Sequence, residues 1–218
     1  MEAILKQGLE SLGLDAAAIP TLTEFTRRLL EKNKVMNLTA ITEPRDVATL
    51  HLLDCAYLLT AAEFRGQAVV DVGTGAGFPG MPMAILEPTA RLTLLDSLGK
   101  RVEWLTELCR ELDLPDVVLL KGRAEELSRR KTHREQYDVA VSRALAAMPM
   151  LAELCLPYVK PGGLFLAMKS NKTDEEIAGA EKIIQALGGE KPFVMDYLVP
   201  GTEVYHRVVT VFKARPTP

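Results

Sequence analysis

The sequence predicts an α/β protein in which helices cover a mainly parallel sheet and a helical cap precedes it. Three observations predict this fold class. From Gln67 onward, apolar runs of strand length alternate with helical segments, as in βαβ units. Alternating glycines follow the first run, at the edge where an open α/β sheet binds its ligand. The last two runs are separated only by "GTE", which is the spacing of an antiparallel hairpin.

The N-terminal region, residues 1–64, is predicted to be the helical cap. Leucine and phenylalanine side chains between Leu22 and Leu30 recur at the spacing of one helix face. Residues 47–62 predict another helix after the turn-forming "TEPRD". The intervening "NKVMNLTAIT" predicts a loop or a short extended piece.

The second region, residues 65–218, predicts a seven-stranded sheet. Five strand–helix pairs come first, and the terminal hairpin adds two strands, of which the last is antiparallel to its neighbour. The predicted strands are 68–72, 91–96, 117–121, 137–142 and 163–169, and the helices after them are 81–86, 100–112, 124–131, 148–159 and 174–187.

The composition argues against several classes of protein. With a net charge of −3, any binding of nucleic acid has to come from local basic patches. The N-terminus has no basic segment followed by an apolar run, and no apolar run reaches the roughly 20 residues that span a bilayer. The three cysteines and three histidines lack the spacing of a disulfide framework or a metal site. We therefore expect a cytoplasmic protein without a metal, in which the cysteines are buried. We also expect a monomer, although no sequence pattern determines the oligomeric state.

The segment "DVGTGAGFPG", residues 71–80, is the strongest ligand-binding signal. A P-loop requires a lysine and a hydroxyl residue after its last glycine, where this chain has Met81 and Pro82. A dinucleotide site requires a third glycine for close helix packing, and Phe78 is bulky. The remaining pattern, acid-x-G-x-G-x-G, looks like the first motif of S-adenosylmethionine-dependent methyltransferases.

That ligand has an amino-acid end, a ribose and an adenine, but no pyrophosphate. Glycines let the backbone approach it closely because they have no Cβ. The glycines expected to do so are Gly73, Gly75 and Gly77. Asp71 is expected near the ammonium group of the ligand, and Asp96 is expected to accept hydrogen bonds from both ribose hydroxyls. The alternatives are that Asp71 caps the following loop and that Asp96 caps a helix.

Further features agree with the Rossmann-like class I methyltransferase fold and narrow the choice of acceptor. The "KPGG" turn precedes the fifth strand, and the seventh strand is reversed. After the fourth strand, enzymes that methylate exocyclic amino groups usually carry a Pro-Pro-aromatic motif, whereas this chain has "SRALA". Cys155 lies outside any motif for cytosine-C5 methylation. Guanine N7 has a free lone pair and needs no base, so positioning and electrostatics suffice for its methylation.

Several motifs together resemble those of one family, the glucose-inhibited division protein B family of bacterial 16S rRNA guanosine-N7 methyltransferases. The matching motifs are "NLTAI" (37–41), "HLLDC" (51–55), "DVGTGAGFPGMPMAI" (71–85), "LLDSLGKRVEWL" (94–105), "GRAEE" (122–126), "SRA" (142–144) and "KPGG" (160–163). The combination of "GTGAGFPG", "LLDSLGKR" and "GRAEE" is highly specific. One departure is Cys55, where many members have serine, and this should not alter the chemistry.

The resemblance implies methyl transfer from S-adenosylmethionine to N7 of a guanosine in the 530 loop of 16S rRNA. The partner is then 16S rRNA or the small ribosomal subunit. The cofactor pocket is expected to include Gly73, Phe78, Asp96, Ala124, Glu125 and Arg143. The catalytic group near the incoming base is expected to include Asn37, His51, Asp54 and Arg143.

Alternatives stay open for several of these residues. His51 and Asp54 lie at i and i+3 on one helix, where an interdomain hydrogen-bond cluster is the alternative role. For Arg143 the alternative is a surface ion pair. The cations expected to contact RNA are Lys100, Arg101, Arg123 and Lys169, although Lys100 and Arg101 also fit a solvated helix face. The rival functions are a small-molecule methyltransferase of the same fold and a non-catalytic rRNA-binding assembly factor.

Overall fold

Seven strands and nine helices are present in the computed structural model, which describes residues 1–218. The strands are β1 (Ala68–Val72), β2 (Arg91–Asp96), β3 (Val118–Lys121), β4 (Tyr137–Arg143), β5 (Val159–Ser170), β6 (Phe193–Leu198) and β7 (Tyr205–Phe212). The helices are α1 (Glu2–Ser11), α2 (Ile19–Met36), α3 (Pro44–Asp46), α4 (Asp54–Leu58), α5 (Gly80–Leu86), α6 (Gly99–Glu111), α7 (Ala124–Leu127), α8 (Met148–Cys155) and α9 (Asp174–Ala186). A π-helical segment, Val47–Leu53, joins α3 to α4, and short 3₁₀ turns cover Ala16–Ala18 and Leu156–Tyr158.

The strands form one sheet in the order β3-β2-β1-β4-β5-β7-β6. Strands β1 to β5 pair in parallel, while β7 is antiparallel to both β5 and β6. The predicted seven-stranded, mainly parallel sheet with an antiparallel C-terminal hairpin is therefore confirmed. Because the strand order reverses between β1 and β4, a crevice opens at the carboxyl ends of these two strands.

Two hydrophobic clusters cover the two faces of the sheet. Along β1, Val69 belongs to one cluster and Val70 to the other, because successive side chains of a strand point to opposite faces. The cap contributes Leu5, Leu9 and other apolar side chains to the same cluster as Val69. The cap thus shares one hydrophobic cluster with the sheet, and the domain division at residues 64 and 65 stays a prediction.

Three helices end about four residues earlier than the sequence predicts, and one of them is the cap helix α4, which stops at Leu58 instead of residue 62. Helix α7 stops at Leu127 instead of residue 131, because the segment after Leu127 supplies no apolar side chain that would hold another turn against the sheet. Helix α8 stops at Cys155 instead of residue 159. Pro157 follows at once, and a proline has no amide hydrogen with which to continue the helix.

The three cysteines are buried and form no disulfide, as predicted. Burial raises the pKa of the Cys55 thiol to about 12, so this sulfur is a poor nucleophile near neutral pH. No three His, Cys, Asp or Glu side chains are grouped so that they can hold a metal ion. None of the helices combines the length and the apolar character that crossing a bilayer requires.

Candidate active site

The loop between β1 and α5 lines a cavity of about 470 Å³ at the switch point of the sheet. Gly73 and Gly75 have φ angles of 75° and 59°, which glycine adopts without steric cost. A Cβ on Gly75 would meet only the carbonyl oxygen of Gly73, at 3.9 Å, so the space beside it is open. The amides of Gly73 and Thr74 both donate to the carbonyl of Leu95 at 2.9 Å, which anchors the loop to β2.

Several predicted site residues meet at this cavity. The loops after α2, β1, β2 and β4 form its walls. The predicted residues that line it are Gly73, Gly75, Phe78, Asp96, Arg101 and Arg143, together with His51. Leu98 and Leu145 add apolar surface to it, and no sequence pattern pointed to either residue.

Asp96 is buried at the carboxyl end of β2, beside the glycine loop. Its Oδ2 accepts a hydrogen bond from the Gly75 amide at 2.9 Å, and its Oδ1 accepts one from the Leu98 amide at 2.8 Å. The guanidinium of Arg101 lies 3.5 Å from Oδ2. Each carboxylate oxygen can accept two hydrogen bonds, so Asp96 still offers acceptors to a ligand in the cavity.

Two residues of the first motif, Asp71 and Gly77, do not line the cavity, and their contacts with the ligand stay predictions. Asp71 is fully buried, and its Oδ2 accepts a hydrogen bond from the Gly80 amide at 2.9 Å while Oδ1 has no partner. Burial raises the pKa of Asp71 to about 6. The contact with the Gly80 amide is the one that the loop-capping alternative predicts. Gly77 faces inward as well, because a Cβ there would come within 2.6 Å of Met81 and 3.1 Å of Leu105.

Ala124 and Glu125, which the family resemblance implies for the cofactor pocket, do not line the cavity either. The carbonyl of Ala124 accepts a hydrogen bond from the buried Tyr158 hydroxyl at 2.7 Å. Glu125 pairs at the surface with Arg123, with 3.0 Å between Oε1 and Nε. The family resemblance alone implied that these two residues contact the cofactor, and that contact stays a prediction.

Arg143, at the end of β4, separates this cavity from a second one of about 460 Å³. Its Nη2 donates a hydrogen bond to Nδ1 of His51 at 3.0 Å. Its Nη1 donates to the carbonyl of Leu50 at 3.2 Å and lies 3.4 Å from Oδ2 of Asp54. The guanidinium also lies over the ring of Phe78, 4.7 Å from its centroid. Arg143 is therefore fixed on several sides and is not the surface ion pair of the alternative.

His51 is held as a neutral imidazole. A guanidinium can only donate, so Nδ1 is the acceptor toward Arg143 and Nε2 carries the proton. Nε2 then donates to Oγ1 of Thr39 at 2.8 Å. Burial, and secondly the charge of Arg143, lowers the pKa of His51 to about 4. The ring stacks on Phe78 at 4.5 Å between centroids. With both nitrogens engaged, His51 positions Arg143 and has no lone pair free to act as a base.

Asp54 is the point where the cap meets the C-terminal hairpin. Its Oδ1 accepts hydrogen bonds from the Tyr197 hydroxyl at 2.6 Å and from Nδ1 of His206 at 2.8 Å, while Oδ2 faces Arg143. Burial and the nearby Asp54 carboxylate raise the pKa of Tyr197, so its hydroxyl stays protonated and donates. Tyr197 and His206 were not predicted from the sequence. Their only signal is that each places a polar group within a strand-like run.

The second cavity borders the first through His51, Arg143 and Ala144. Lys169, which was expected to contact RNA, lies in its wall with a side chain only 11% exposed. Glu176 also lines it, and so does His206. The Lys169 side chain is therefore largely buried in the wall of this open cleft rather than spread on the protein surface.

The remaining predicted residues lie at the rim or beyond it. Asn37 is the C-cap of α2 with a φ angle of 50°, and it does not line either cavity. Its neighbour Asn33 holds the loop instead, since its Oδ1 accepts from the amides of Leu38 at 2.6 Å and Thr39 at 2.9 Å. Lys100 is exposed at the start of α6. Asn33 was missed because an asparagine inside a helical segment gives no distinctive sequence signal.

The fold and the position of the glycine-lined cavity define the class of protein. A strand order of β3-β2-β1-β4-β5-β7-β6 with a reversed β7 is the architecture of class I S-adenosylmethionine-dependent methyltransferases. An O-methyltransferase from Bacillus cereus, solved in complex with SAH, has this fold with a TM-score of 0.60 and 18% identity. The match covers 87% of this chain and 91% of that protein.

Comparison of sequences identifies the family within this class. Residues 18–202 match the GidB family, described as rRNA small subunit methyltransferase G, and the chain belongs to that family. A ribosomal RNA small subunit methyltransferase G from Alkaliphilus metalliredigens is 43% identical over 218 residues, covering 99% of this chain and 91% of that protein. The protein of the same name from Alkaliphilus oremlandii is 42% identical over 221 residues, covering 100% of this chain and 92% of that protein.

Proposed function

We propose that this chain binds S-adenosylmethionine in the cavity lined by Gly73 and Gly75 and methylates N7 of a guanosine in 16S rRNA. The observation that carries the proposal is that two cavities adjoin at His51, Arg143 and Ala144. One cavity has the glycine loop and the Asp96 carboxylate that a methyl donor requires. The other is open for an acceptor base, and the shared boundary is where the two reacting groups would meet.

The residues of the first cavity fit the cofactor. Asp96 would accept hydrogen bonds from the ribose hydroxyls, since each of its oxygens can accept one more. The open space beside Gly75 would take the backbone-contacting part of the ligand. When bound, the cofactor supplies an electrophilic methyl group on sulfur, whose transfer to the N7 lone pair leaves the C–S electrons on sulfur and the positive charge on the guanine.

The side chains at the boundary suit an acceptor that has no proton to lose. His51 uses its lone pair for Arg143, and both oxygens of Asp54 face donors. No free general base is therefore present in this group, and N7 needs none. The contribution of these residues is to hold Arg143 and the walls of both cavities in fixed positions, so that catalysis comes from orientation and charge.

Binding of the RNA would depend on basic residues around the cavity. Arg101 reaches the first cavity, whereas Lys100 and Arg123 are exposed near the same edge of the sheet. These side chains would contact phosphates and position the RNA, while the cavity would receive a base that is turned out of its stack. The family resemblance supports a guanosine of the 530 loop as the target, in 16S rRNA or in the small subunit in the cytoplasm.

The experiment is methyl transfer from labelled S-adenosylmethionine to small ribosomal subunits and to free 16S rRNA, with the modified base mapped by strand cleavage at N7-methylguanosine. We expect one guanosine of the 530 loop to be labelled. Arg143→Ala should reduce labelling at least a hundredfold. Arg91→Ala is the matched control, because Arg91 is exposed at the opposite, amino-terminal end of β2.

Three outcomes would contradict the proposal. Transfer to a different atom of the RNA would exclude guanosine N7. Transfer to a metabolite and not to RNA would indicate a small-molecule methyltransferase. Tight binding of rRNA and S-adenosylhomocysteine without turnover would indicate an assembly factor.

A further inference from the structure

Lys169 and Glu176 form an ion pair in the wall of the second cavity. Neither residue lines the first cavity. Nζ of Lys169 lies 2.5 Å from Oε1 of Glu176 and donates to the carbonyl of Ala146 at 2.9 Å. Oε1 of Glu176 also accepts a hydrogen bond from the Met148 amide at 2.6 Å. Backbone groups on either side of the pair therefore fix both charged heads.

The pair keeps one donor and one acceptor for a ligand. An ammonium has three N–H donors, and the contacts to Ala146 and Glu176 use two of them. The contacts of the Glu176 carboxylate are made by Oε1, which leaves Oε2 available. The side chains are 11% and 25% exposed, so the free donor and the free acceptor belong to paired side chains in the wall of a partly dehydrated cleft.

A donor and an acceptor in a fixed order match guanine and mismatch adenine when the base is held in one orientation, because the two bases present the opposite order along this edge. Guanine presents the O6 acceptor beside the N1–H donor, whereas adenine presents an N6 amino donor beside the N1 acceptor. We propose that the Lys169–Glu176 pair reads this edge of the acceptor base, with Lys169 donating to O6 and Glu176 accepting from N1–H. This assignment rests on the proposed function, in which the acceptor is a guanosine whose N7 faces the boundary with the first cavity.

The contact to Glu176 also favours the reaction. Methylation of N7 places a positive charge on the purine and makes its N1–H more acidic. A hydrogen bond from N1–H to a carboxylate is then stronger in the transition state than in the ground state, and such an interaction raises kcat rather than only lowering KM. Glu176 is thus a specificity-determining residue whose loss lowers kcat.

The first test uses nucleotides as probes and no variant. Binding of GMP, AMP, IMP and 2-aminopurine riboside monophosphate is measured by saturation-transfer NMR in the presence of S-adenosylhomocysteine. IMP keeps O6 and N1–H and should bind like GMP. AMP and the 2-aminopurine nucleotide lack both groups and should bind at least tenfold more weakly, because they leave polar groups of the site unpaired. Equal binding of all four nucleotides overturns the proposal.

The second test compares Glu176→Gln with Glu175→Gln, which changes an exposed carboxylate on the same helix. Glu176→Gln should lose the preference for GMP over AMP and lower kcat on rRNA at least tenfold, with unchanged binding of S-adenosylhomocysteine. Glu175→Gln should match the parent chain in all three measurements. A loss of GMP and AMP binding by the same factor in Glu176→Gln points to a structural role and overturns the proposal.

The outcomes separate this inference from the proposed function. If the parent chain prefers GMP and IMP but forms no N7-methylguanosine on rRNA, the proposed function fails. Recognition of the guanine edge by Lys169 and Glu176 then still stands. If the parent chain methylates guanosine N7 and Glu176→Gln does so at the same rate with the same nucleotide preference, the inference fails and the proposed function stands.

Discussion

The imidazole of His51 accepts a hydrogen bond from the guanidinium of Arg143, with 3.0 Å between Nδ1 and Nη2. This contact joins the π-helical segment of the cap to the end of β4, at the boundary between the two cavities. It also fixes the tautomer of His51, because a guanidinium has no acceptor. The hydrogen bond thereby fixes the position of the cap relative to the sheet at the place where the proposed reaction occurs.

We expect His51 to stay neutral down to about pH 4. Burial and Arg143 lower its pKa to about 4, whereas in the unfolded chain it is about 6.5. Between these values the unfolded chain binds a proton that the folded chain does not, so this group makes stability fall as the pH falls from about 6.5 to 4. Nitrogen-15 NMR of the imidazole should show the Nε2–H tautomer, and a titration near pH 6.5 would contradict the assignment.

Asp71 should show the opposite pH dependence. Burial raises its pKa to about 6, above the unfolded value of about 3.9, so the folded chain keeps a proton that the unfolded chain has lost. The stability that this group contributes is present at low pH and falls as the pH rises from about 4 to 6. In urea unfolding, the free energy of unfolding of Asp71→Asn should therefore rise relative to that of the parent chain by about 2–3 kcal/mol as the pH increases over that range. Asp116→Asn, which changes an exposed carboxyl, is the control, and an equal pH profile for both variants would contradict the role of burial.

Gly75→Ala should weaken binding of S-adenosylhomocysteine at least tenfold. Its new Cβ would occupy the open space that we assign to the ligand. Gly66→Ala is a matched control, since Gly66 has a φ angle of 69°, close to the 59° of Gly75, and it does not line the cavity. A Cβ added to Gly66 would have no other atom within 4 Å. Both variants should lose about 1 kcal/mol of stability. Calorimetry that finds equal affinity in the two variants would show that the ligand lies elsewhere.

Asp54→Asn should destabilise the chain by roughly 3 kcal/mol, because it leaves the partly buried Arg143 guanidinium without its counter-charge. Tyr197→Phe removes one hydrogen bond to the same carboxylate and should cost about 1 kcal/mol. Glu181→Gln, which breaks an exposed ion pair with Lys191, should be close to neutral. These differences are measurable by urea unfolding at pH 7. A neutral Asp54→Asn would mean that Arg143 does not depend on this carboxylate.

Much of the fold was predictable, since local pattern determines it. The alternation of strands and helices, the reversed last strand and the glycine loop at the end of β1 all follow from periodicity and short connections. The positions of Gly73, Gly75 and Asp96 at one cavity follow as well, because the carboxyl ends of adjacent parallel strands share one edge.

Other parts of the site were decided only by the tertiary structure. Asp71 has the sequence position of a ligand contact, but it caps the start of α5. Tyr197 and His206 lie 143 and 152 residues from Asp54 in the chain, and they reach it only because β7 pairs with β5 in a register that sets His206 opposite Ser170. Sequence patterns report which face of an element is apolar. Contacts between polar side chains of different elements depend on strand register. They also depend on which polar atoms burial removes from water. Both are properties of the folded chain alone.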